Sequence, residues 1–244
     1  MKDKKQLKTI NLIIVGMLVF LVISTSLLFA YTYTLSNRAA SLETRLETME
    51  NLAQYDNIVF SSDDAYVQRR LKTGESAGTP VYTNTSDINY GDSEWLIIGN
   101  DEDHEEYARI FLKFPLSSIL DFEDIVSVKL FLYKSTRHWT TWTGVANIEA
   151  RTVNNDFWTE DTITWNNQPR YTTLLDVIPV EHESYQWYSW DVTPLILREY
   201  TSRDEYASIC LKAQDVQKKG DYYKETIYSS ESGFHPYLFV EYEG

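Results

Sequence analysis

The chain has 244 residues, of which 43% are hydrophobic and 14% aromatic, and its formal net charge at pH 7 is −14. The first nine positions contain four of the 22 basic residues and one of the 36 acidic residues. The rest of the chain therefore has 18 basic and 35 acidic residues and a formal charge near −17. That charge excludes nucleic acid as a partner, because phosphate backbones bind to basic surfaces. Cys210 is the single cysteine, which excludes an intrachain disulfide, and its apolar neighbours predict a core strand position.

The first predicted element is a membrane-spanning helix at residues 10–34, which follows a cytoplasmic basic tail at residues 1–9. Residues 10–31 are almost continuously apolar, and 22 helical residues span about 33 Å, close to the roughly 30 Å of a bilayer's hydrocarbon core. A cleaved secretory signal peptide is the alternative, although its apolar region is usually about 7 to 15 residues long. Because four lysines precede the apolar stretch, the positive-inside rule predicts a single-pass cell-membrane protein whose C-terminal part is extracellular.

Residues 35–56 are predicted to form a helical stalk. Apolar residues recur there with alternating three-residue and four-residue spacing, which fits heptad positions a and d. This spacing predicts homo-oligomerisation through a short coiled coil, and the alternative is a spacer helix that lifts the outer domain from the membrane. The residues that would form the apolar seam are Ala39, Leu42, Leu46, Met49 and Ala53.

Residues 57–244 are predicted to form an all-β extracellular domain, because apolar residues alternate with polar ones and polar turns separate the runs. Many short strands with polar turns are typical of an antiparallel sandwich or barrel. Thr193 is the predicted N-cap of a short helix in which Pro194 occupies the first position. The periodicity leaves immunoglobulin-like and jelly-roll connectivity open. The clearest alternating sets are Ile110, Leu112 and Phe114, then Val126, Val128, Leu130 and Leu132, then Leu238, Val240 and Tyr242.

Eight short patches occur in order along this domain, and the most informative of them is the segment Trp158–Pro169. The others are Asp64–Val67, Asn89–Gly91, Leu96–Gly99, Phe111–Ile119, Val128–Tyr133, Asp191–Thr193 and Pro236–Tyr242. In this order they resemble the DNRLRE domain, also described as the disaggregatase-related domain or the family 96 carbohydrate-binding module. The resemblance implies a β-sandwich of jelly-roll type on a cell surface, in the company of polysaccharide-processing proteins.

Aromatic side chains are the candidate ligand-binding groups, because sugar rings stack their C–H faces on indole and phenol rings. Strand alternation places Trp190 and Tyr188 on the same face as Val192, which predicts that both are core residues, whereas Trp158 and Trp165 belong to the family's scaffold pattern. Core packing is the alternative for every aromatic residue. The predicted glycan-contacting set is Trp139, Trp142, Tyr185 and Trp187, with Arg137 and His138 nearby.

A structural calcium ion is the predicted cofactor, because hard cations bind carboxylate and amide oxygens, and its candidate ligands are Asp64, Asn89 and Asp191. The sequon that begins at Asn84 makes that residue the candidate glycosylation site. The four histidines lack the spacing of a zinc site, and no nucleophile elbow or phosphate loop is present, so the sequence predicts that the protein is not an enzyme.

These observations predict a membrane-anchored surface protein whose sandwich binds a glycan and so serves adhesion or envelope organisation. The alternative function is that of a structural protein. In that case the sandwich makes protein–protein contacts in a surface layer, a filament or a membrane complex.

Overall fold

The computed structural model describes residues 31–32, 36, 57–70, 75–76, 79–80, 84–101, 106–119, 122–135, 144–182, 184–214 and 222–243. The chain divides into two units, Met1–Gln54 and Tyr55–Gly244. Within the described ranges, no helix combines the length and apolar character that crossing a bilayer requires. The predicted membrane segment, apart from Tyr31 and Thr32, and all the predicted seam residues of the stalk lie outside the described residues. Both remain predictions.

The second unit consists mainly of β-strands joined by turns. One ten-residue helix, α1 (Thr193–Ser202), and two 3-10 turns, Leu116–Ser118 and Phe122–Asp124, are also among its described elements. The strands are β1 (Ile58–Phe60), β2 (Asp63–Arg70), β3 (Glu75–Ser76), β4 (Thr79–Pro80), β5 (Trp95–Asp101), β6 (Glu106–Pro115), β7 (Ile125–Tyr133), β8 (Val145–Val153), β9 (Tyr171–Glu181), β10 (Trp187–Asp191), β11 (Tyr206–Ala213), β12 (Tyr222–Tyr228) and β13 (Tyr237–Tyr242).

Two antiparallel sheets form a sandwich. The smaller sheet has four strands in the order β1, β13, β7, β10. The larger sheet has the order β12, β5, β6, β11, β8, β9, with β2 also paired to β6, and β3 and β4 form a separate hairpin. The predicted all-β sandwich is therefore confirmed, while the jelly-roll connectivity stays a prediction from the family resemblance.

The main core lies between the sheets and follows from the period-two pattern of the strands. Leu130 and Leu238 of the smaller sheet and Ile110 of the larger one belong to a single buried cluster. Trp190 is fully buried in it, and its indole Nε1 donates to the carbonyl oxygen of Ile148 at 3.0 Å, so the one polar atom of the side chain is satisfied. The predicted core position of Trp190 is confirmed.

A second apolar cluster covers the other face of the larger sheet. The segment between β8 and β9 packs Trp158 and Ile163 against Phe111 of β6 and Cys210 of β11. The indole Nε1 of Trp158 donates to the Ser208 Oγ at 3.1 Å. Burial raises the pKa of the Cys210 thiol to about 12, so this cysteine is an inert core residue, as predicted.

Two local predictions were wrong, each for a structural reason. Val126 is 51% exposed, because Ser127 pairs with Glu241 while Ile125 pairs with Tyr242, which leaves Val126 as the extra residue of a β-bulge. Thr193 is not the N-cap of α1; the N-cap is Val192. The Thr193 Oγ1 instead accepts the backbone N–H of Val128 at 2.8 Å and so joins the helix to the smaller sheet.

Candidate functional site

The outer face of the smaller sheet carries a continuous group of aromatic side chains. At one end of the sheet, β7 and β13 alternate buried aliphatic residues with half-buried or exposed aromatic ones, so both faces of the sheet are apolar there. The register aligns Phe131 with Tyr237 and Tyr133 with Trp187 on neighbouring strands. We define the aromatic face as Phe131, Tyr133, Trp187, Phe234, Tyr237 and Phe239.

The rings of this face pack on one another in fixed orientations. Tyr133 stacks on Phe234 with ring centroids 4.3 Å apart, and Phe131 stacks on Tyr237 at 5.1 Å. Trp187 meets Tyr133 and Tyr237 edge to face, in both cases with centroids 5.2 Å apart. Offset stacks and edge-to-face contacts are the favourable geometries for aromatic pairs, so these rings hold one another in place without a covering layer.

Part of the aromatic face is open to solvent. Trp187 and Phe234 are each 40% exposed, and Phe239 is 36% exposed. Contiguous exposed apolar surface of this kind marks a binding site more often than chance exposure does. Burial raises the pKa of the Tyr237 phenol, so this hydroxyl remains a neutral hydrogen-bonding group on the face.

Polar side chains occupy the same outer sheet face at the end of the strands that lies away from the stacked rings. In the register, Lys129 lies between Phe239 and Asp191, and the Ser127 Oγ donates to the Glu241 carboxylate at 2.8 Å. Lys129, Asp191 and Glu241 are exposed. The face therefore combines stacked rings at one end with charged and hydroxyl groups at the other. We define the polar strip as Ser127, Lys129, Ser189, Asp191 and Glu241.

A buried charged cluster supports the Tyr133 end of the aromatic face. The Lys134 Nζ lies 2.9 Å from one oxygen of Glu225, whose other oxygen lies 2.7 Å from the His182 Nδ1. The same Nζ donates to the carbonyl oxygen of His182 at 2.6 Å, and the Lys134 N–H donates to the carbonyl oxygen of Gln186 at 3.0 Å. Strand β7 is thereby joined to β12 and to the segment that leads into Trp187.

The structure brings one of the predicted glycan contacts into this face. Trp187 is a member, while Tyr185, which is 64% exposed, precedes β10 and is not in the group of stacked rings. The remaining predicted contacts lie outside the described residues and stay predictions; they are Arg137, His138, Trp139 and Trp142.

Sequence reasoning missed the other aromatic members. The signal in β7 is the alternation of Leu130 and Leu132 with Phe131 and Tyr133, which makes a strand apolar on both faces. No comparable local signal identifies Phe234, because it lies in a turn and joins the face through the contact with Tyr133.

The structure brings two of the three predicted calcium ligands to one loop and places the third on the smaller sheet. The buried Asp64 donates its backbone N–H to the Glu160 carboxylate at 3.2 Å, and Asn89 donates to the carbonyl oxygen of Glu160 at 2.6 Å, so these two residues contact the same loop residue. Asp191 instead accepts the N–H of Thr193 at 2.9 Å and belongs to the polar strip. Among the described residues, no group of three or more His, Cys, Asp or Glu could hold a metal ion.

The predicted glycosylation site lies at the surface. Asn84 is exposed, and its Oδ1 accepts the N–H of Ser86 at 3.0 Å. Thr85 is buried and its hydroxyl donates to the carbonyl oxygen of Gln68 at 3.2 Å, so the sequon begins where the chain meets strand β2. Glycosylation at Asn84 stays a prediction.

Comparison with known families places the described sandwich within one of them. The family model for carbohydrate-binding module family 96 matches residues 59–242, a range that runs from β1 to β13. No curated protein matches the chain. The match confirms the family 96 part of the resemblance, whereas the DNRLRE and disaggregatase descriptions and the N-terminal anchor stay predictions.

Proposed function

This chain belongs to carbohydrate-binding module family 96, and we propose that its sandwich binds a glycan through the aromatic face. The observation that carries this proposal is the group of mutually stacked, partly exposed rings that adjoins the polar strip. Sugars need both kinds of surface, because their C–H faces are apolar and their hydroxyl groups form hydrogen bonds.

In this proposal each half of the sheet face has its own role. Trp187 and Phe234 present partly exposed rings on which pyranose C–H faces stack. Lys129 donates hydrogen bonds and Asp191 accepts them, so a sugar that extends along β7 has partners for its hydroxyl groups. Because the rings already hold one another, binding loses little conformational freedom of the side chains.

The test is a glycan array probed with the full chain purified in detergent, alongside three variants. Trp187→Ala and Phe239→Ala are expected to weaken binding about tenfold each, since each removes a stacking surface. Val145→Ala is the matched control, because Val145 is an exposed apolar residue of the larger sheet. Binding that survives in both face variants would place the glycan elsewhere.

The same glycan array, run with calcium and with chelator, tests the predicted ion. We propose that any ion bound near Asp64 and Asn89 stabilises the loop at Glu160, which both residues contact, and does not contact the sugar, because neither residue belongs to the aromatic face. Chelator would then lower the melting temperature without changing the array pattern. Loss of sugar binding in chelator at constant melting temperature would contradict this assignment.

We also propose that the module acts outside a cell membrane, in adhesion or envelope organisation, without catalytic activity of its own. The apolar stretch at residues 10–31 and the lysines that precede it support this location. Protease added to intact cells should remove the C-terminal unit and leave a tag at the N-terminus protected. Protection of the C-terminal unit would contradict the outward orientation.

The alternative is that the aromatic face binds a protein. Exposed aromatic residues are also enriched at protein interfaces, so the same surface suits an assembly function. A folded chain that binds no glycan, and whose oligomeric state changes in Trp187→Ala, would favour assembly over sugar binding.

A further inference from the structure

A cleft lies at the end of the larger sheet, where β6 ends and β11 begins. Its volume is about 910 Å³, within the range of roughly 300–1,000 Å³ that is usual for small-ligand sites. The described residues that line it come from the end of β6 with its 3-10 turn, from the second 3-10 turn, from the C-terminal end of α1 with the turn that follows it, and from the start of β11. None of them belongs to the aromatic face.

One wall of the cleft is a pair of stacked aromatic rings. Phe122 and Tyr200 are nearly parallel, with centroids 3.5 Å apart and an interplanar angle of 7°. Tyr200 is 46% exposed although it is stacked. The floor is apolar, since Leu116 is buried beneath it. A sugar ring could therefore stack on the open part of this pair while its edges remain near polar groups.

The backbone next to this wall has an unfavourable conformation. Arg203 has φ 62° and ψ 35°, and it is the one non-glycine residue with positive φ in the described part of the chain. Its N–H donates to the carbonyl oxygen of Tyr200 at 2.9 Å, and the N–H of Asp204 donates to that of Glu199 at 3.0 Å. Glycine is the usual residue at this capping position. This left-handed residue ends the helix, and the turn that it forms brings Arg203, Asp204 and Glu205 to the rim.

The rim has hydrogen-bonding groups of both charges. Arg203 supplies donors, Asp204 and Glu205 supply acceptors, and Ser117 supplies a hydroxyl group; the Thr201 hydroxyl, which donates to the carbonyl oxygen of Leu197 at 2.7 Å, supplies a further acceptor. The two carboxylates oppose an anionic sugar, while the guanidinium group opposes a cationic one. A neutral sugar, which has both donors and acceptors on its hydroxyl groups, fits this rim best.

We propose that this cleft is a second sugar-binding site, that it takes a neutral oligosaccharide, and that it makes the module bivalent. The proposal rests on the proposed glycan-binding function but not on the location of the first site. Two sites on one module raise its avidity for a polysaccharide when a single long sugar polymer, or two neighbouring polymers, can occupy both sites.

The test is calorimetric titration of the full chain in detergent with linear neutral hexasaccharides of glucose, xylose or mannose. Uronate and amino-sugar oligomers of equal length serve as the charged comparison. The wild-type chain is expected to bind two neutral oligosaccharides per chain. Tyr200→Ala should lower this number to one or weaken one site about tenfold, and Trp187→Ala should affect the other site. Leu197→Ala is the control, because Leu197 is an exposed residue of the same helix.

A second variant separates binding from folding. Tyr200→Leu retains an apolar side chain against Phe122 but removes the ring, so it should keep the melting temperature and still lose the second site. Unchanged stoichiometry in both Tyr200 variants, or a charged oligomer preferred at the site that they affect, would overturn the proposal. If Trp187→Ala alone reduced binding, the cleft would be excluded while the glycan-binding function remained supported.

Discussion

The buried carboxylate of Asp64 accepts the backbone N–H of Ser230, with its two oxygens 3.1 and 3.3 Å from the nitrogen. The same carboxylate accepts the Ser61 hydroxyl at 3.1 Å, and the N–H of Ser61 donates to the carbonyl oxygen of Pro236 at 3.2 Å. Both ends of the turn that carries Phe234 are thus tied to the segment that begins β2. The position of one ring of the aromatic face depends on a residue that is itself remote from solvent.

Replacing Asp64 with Ala should therefore loosen the turn from Ser230 to Pro236. The change leaves the Ser230 N–H and the Ser61 hydroxyl without this acceptor, and we expect a loss of about 2 kcal/mol in the free energy of unfolding. Urea denaturation measures that loss, and the NMR ring-current shifts of Tyr133 report whether Phe234 still stacks on it. The exposed Asp92→Ala is the control. Unchanged shifts in the Asp64 variant would show that the turn holds its shape without this carboxylate.

The pH dependence of stability follows from two neighbouring carboxyl groups. Burial is the largest cause that raises the pKa of Asp64 to about 6 and that of Glu160 to about 7. The Glu160 carboxylate accepts the N–H of Asp64 at 3.2 Å, which lowers the pKa of Glu160, while the nearby Asp64 carboxylate raises it. In the unfolded chain both carboxyls have pKa values near 4.

A carboxyl whose pKa is higher in the folded state stabilises the fold below its unfolded pKa, and that stabilisation disappears as pH rises through the folded value. The free energy of unfolding should therefore fall between about pH 4, where the unfolded chain ionises, and about pH 7, the folded value of Glu160. Urea titrations across this range measure the slope, which should flatten in Asp64→Asn and in Glu160→Gln. A slope that persists unchanged in both variants would have to come from the overall negative charge and not from this pair.

Breaking the buried ion pair between Lys134 and Glu225 should destabilise the fold strongly. Lys134→Met leaves the Glu225 carboxylate without its ammonium partner in a site where both side chains are almost inaccessible to solvent. We expect a loss of about 3–5 kcal/mol in the free energy of unfolding. The exposed Lys129→Met should change stability by less than about 0.5 kcal/mol. A similarly small loss for Lys134→Met would mean that His182 and the surrounding carbonyl groups compensate for the missing charge.

Gly91 lies so close to the loop that contains Trp158 that a larger residue at this position tests how tightly the two segments pack. A Cβ atom at this position would lie 2.3 Å from the carbonyl oxygen of Glu160, so Gly91→Ala forces the backbone of one loop to move. We expect a loss of about 1–3 kcal/mol, as in other overpacked sites. Gly233→Ala is the matched control, because a Cβ there meets nothing within 4 Å. Equal melting temperatures for the two variants would contradict the close approach at Gly91.

The fold class and much of the core could be predicted from local sequence patterns. Period-two alternation identified the buried side of β6 and β7, because a side chain's face in a strand depends only on its position along that strand. The same rule separated Trp190 from Trp187 correctly. The ordered patches identified the family. Each patch is a short stretch of sequence, and their order along the chain can be read without knowing which strands pair. The rule failed at Val126, where a bulge breaks the alternation and where the partner strand lies more than a hundred residues away.

The tertiary structure alone decided which residues form a site. Phe131, Trp187, Phe234 and Tyr237 lie on three strands and a turn, and they meet because strand pairing places their segments side by side. Pairing likewise set Asp191 beside Lys129, whereas Asp64 lies against Ser230 and Glu160. The cleft beside Tyr200 also unites separate elements. Such long-range neighbours cannot be predicted from the local sequence. The pattern of apolar residues determines which face of a strand a residue occupies, but not which distant residue lies next to it.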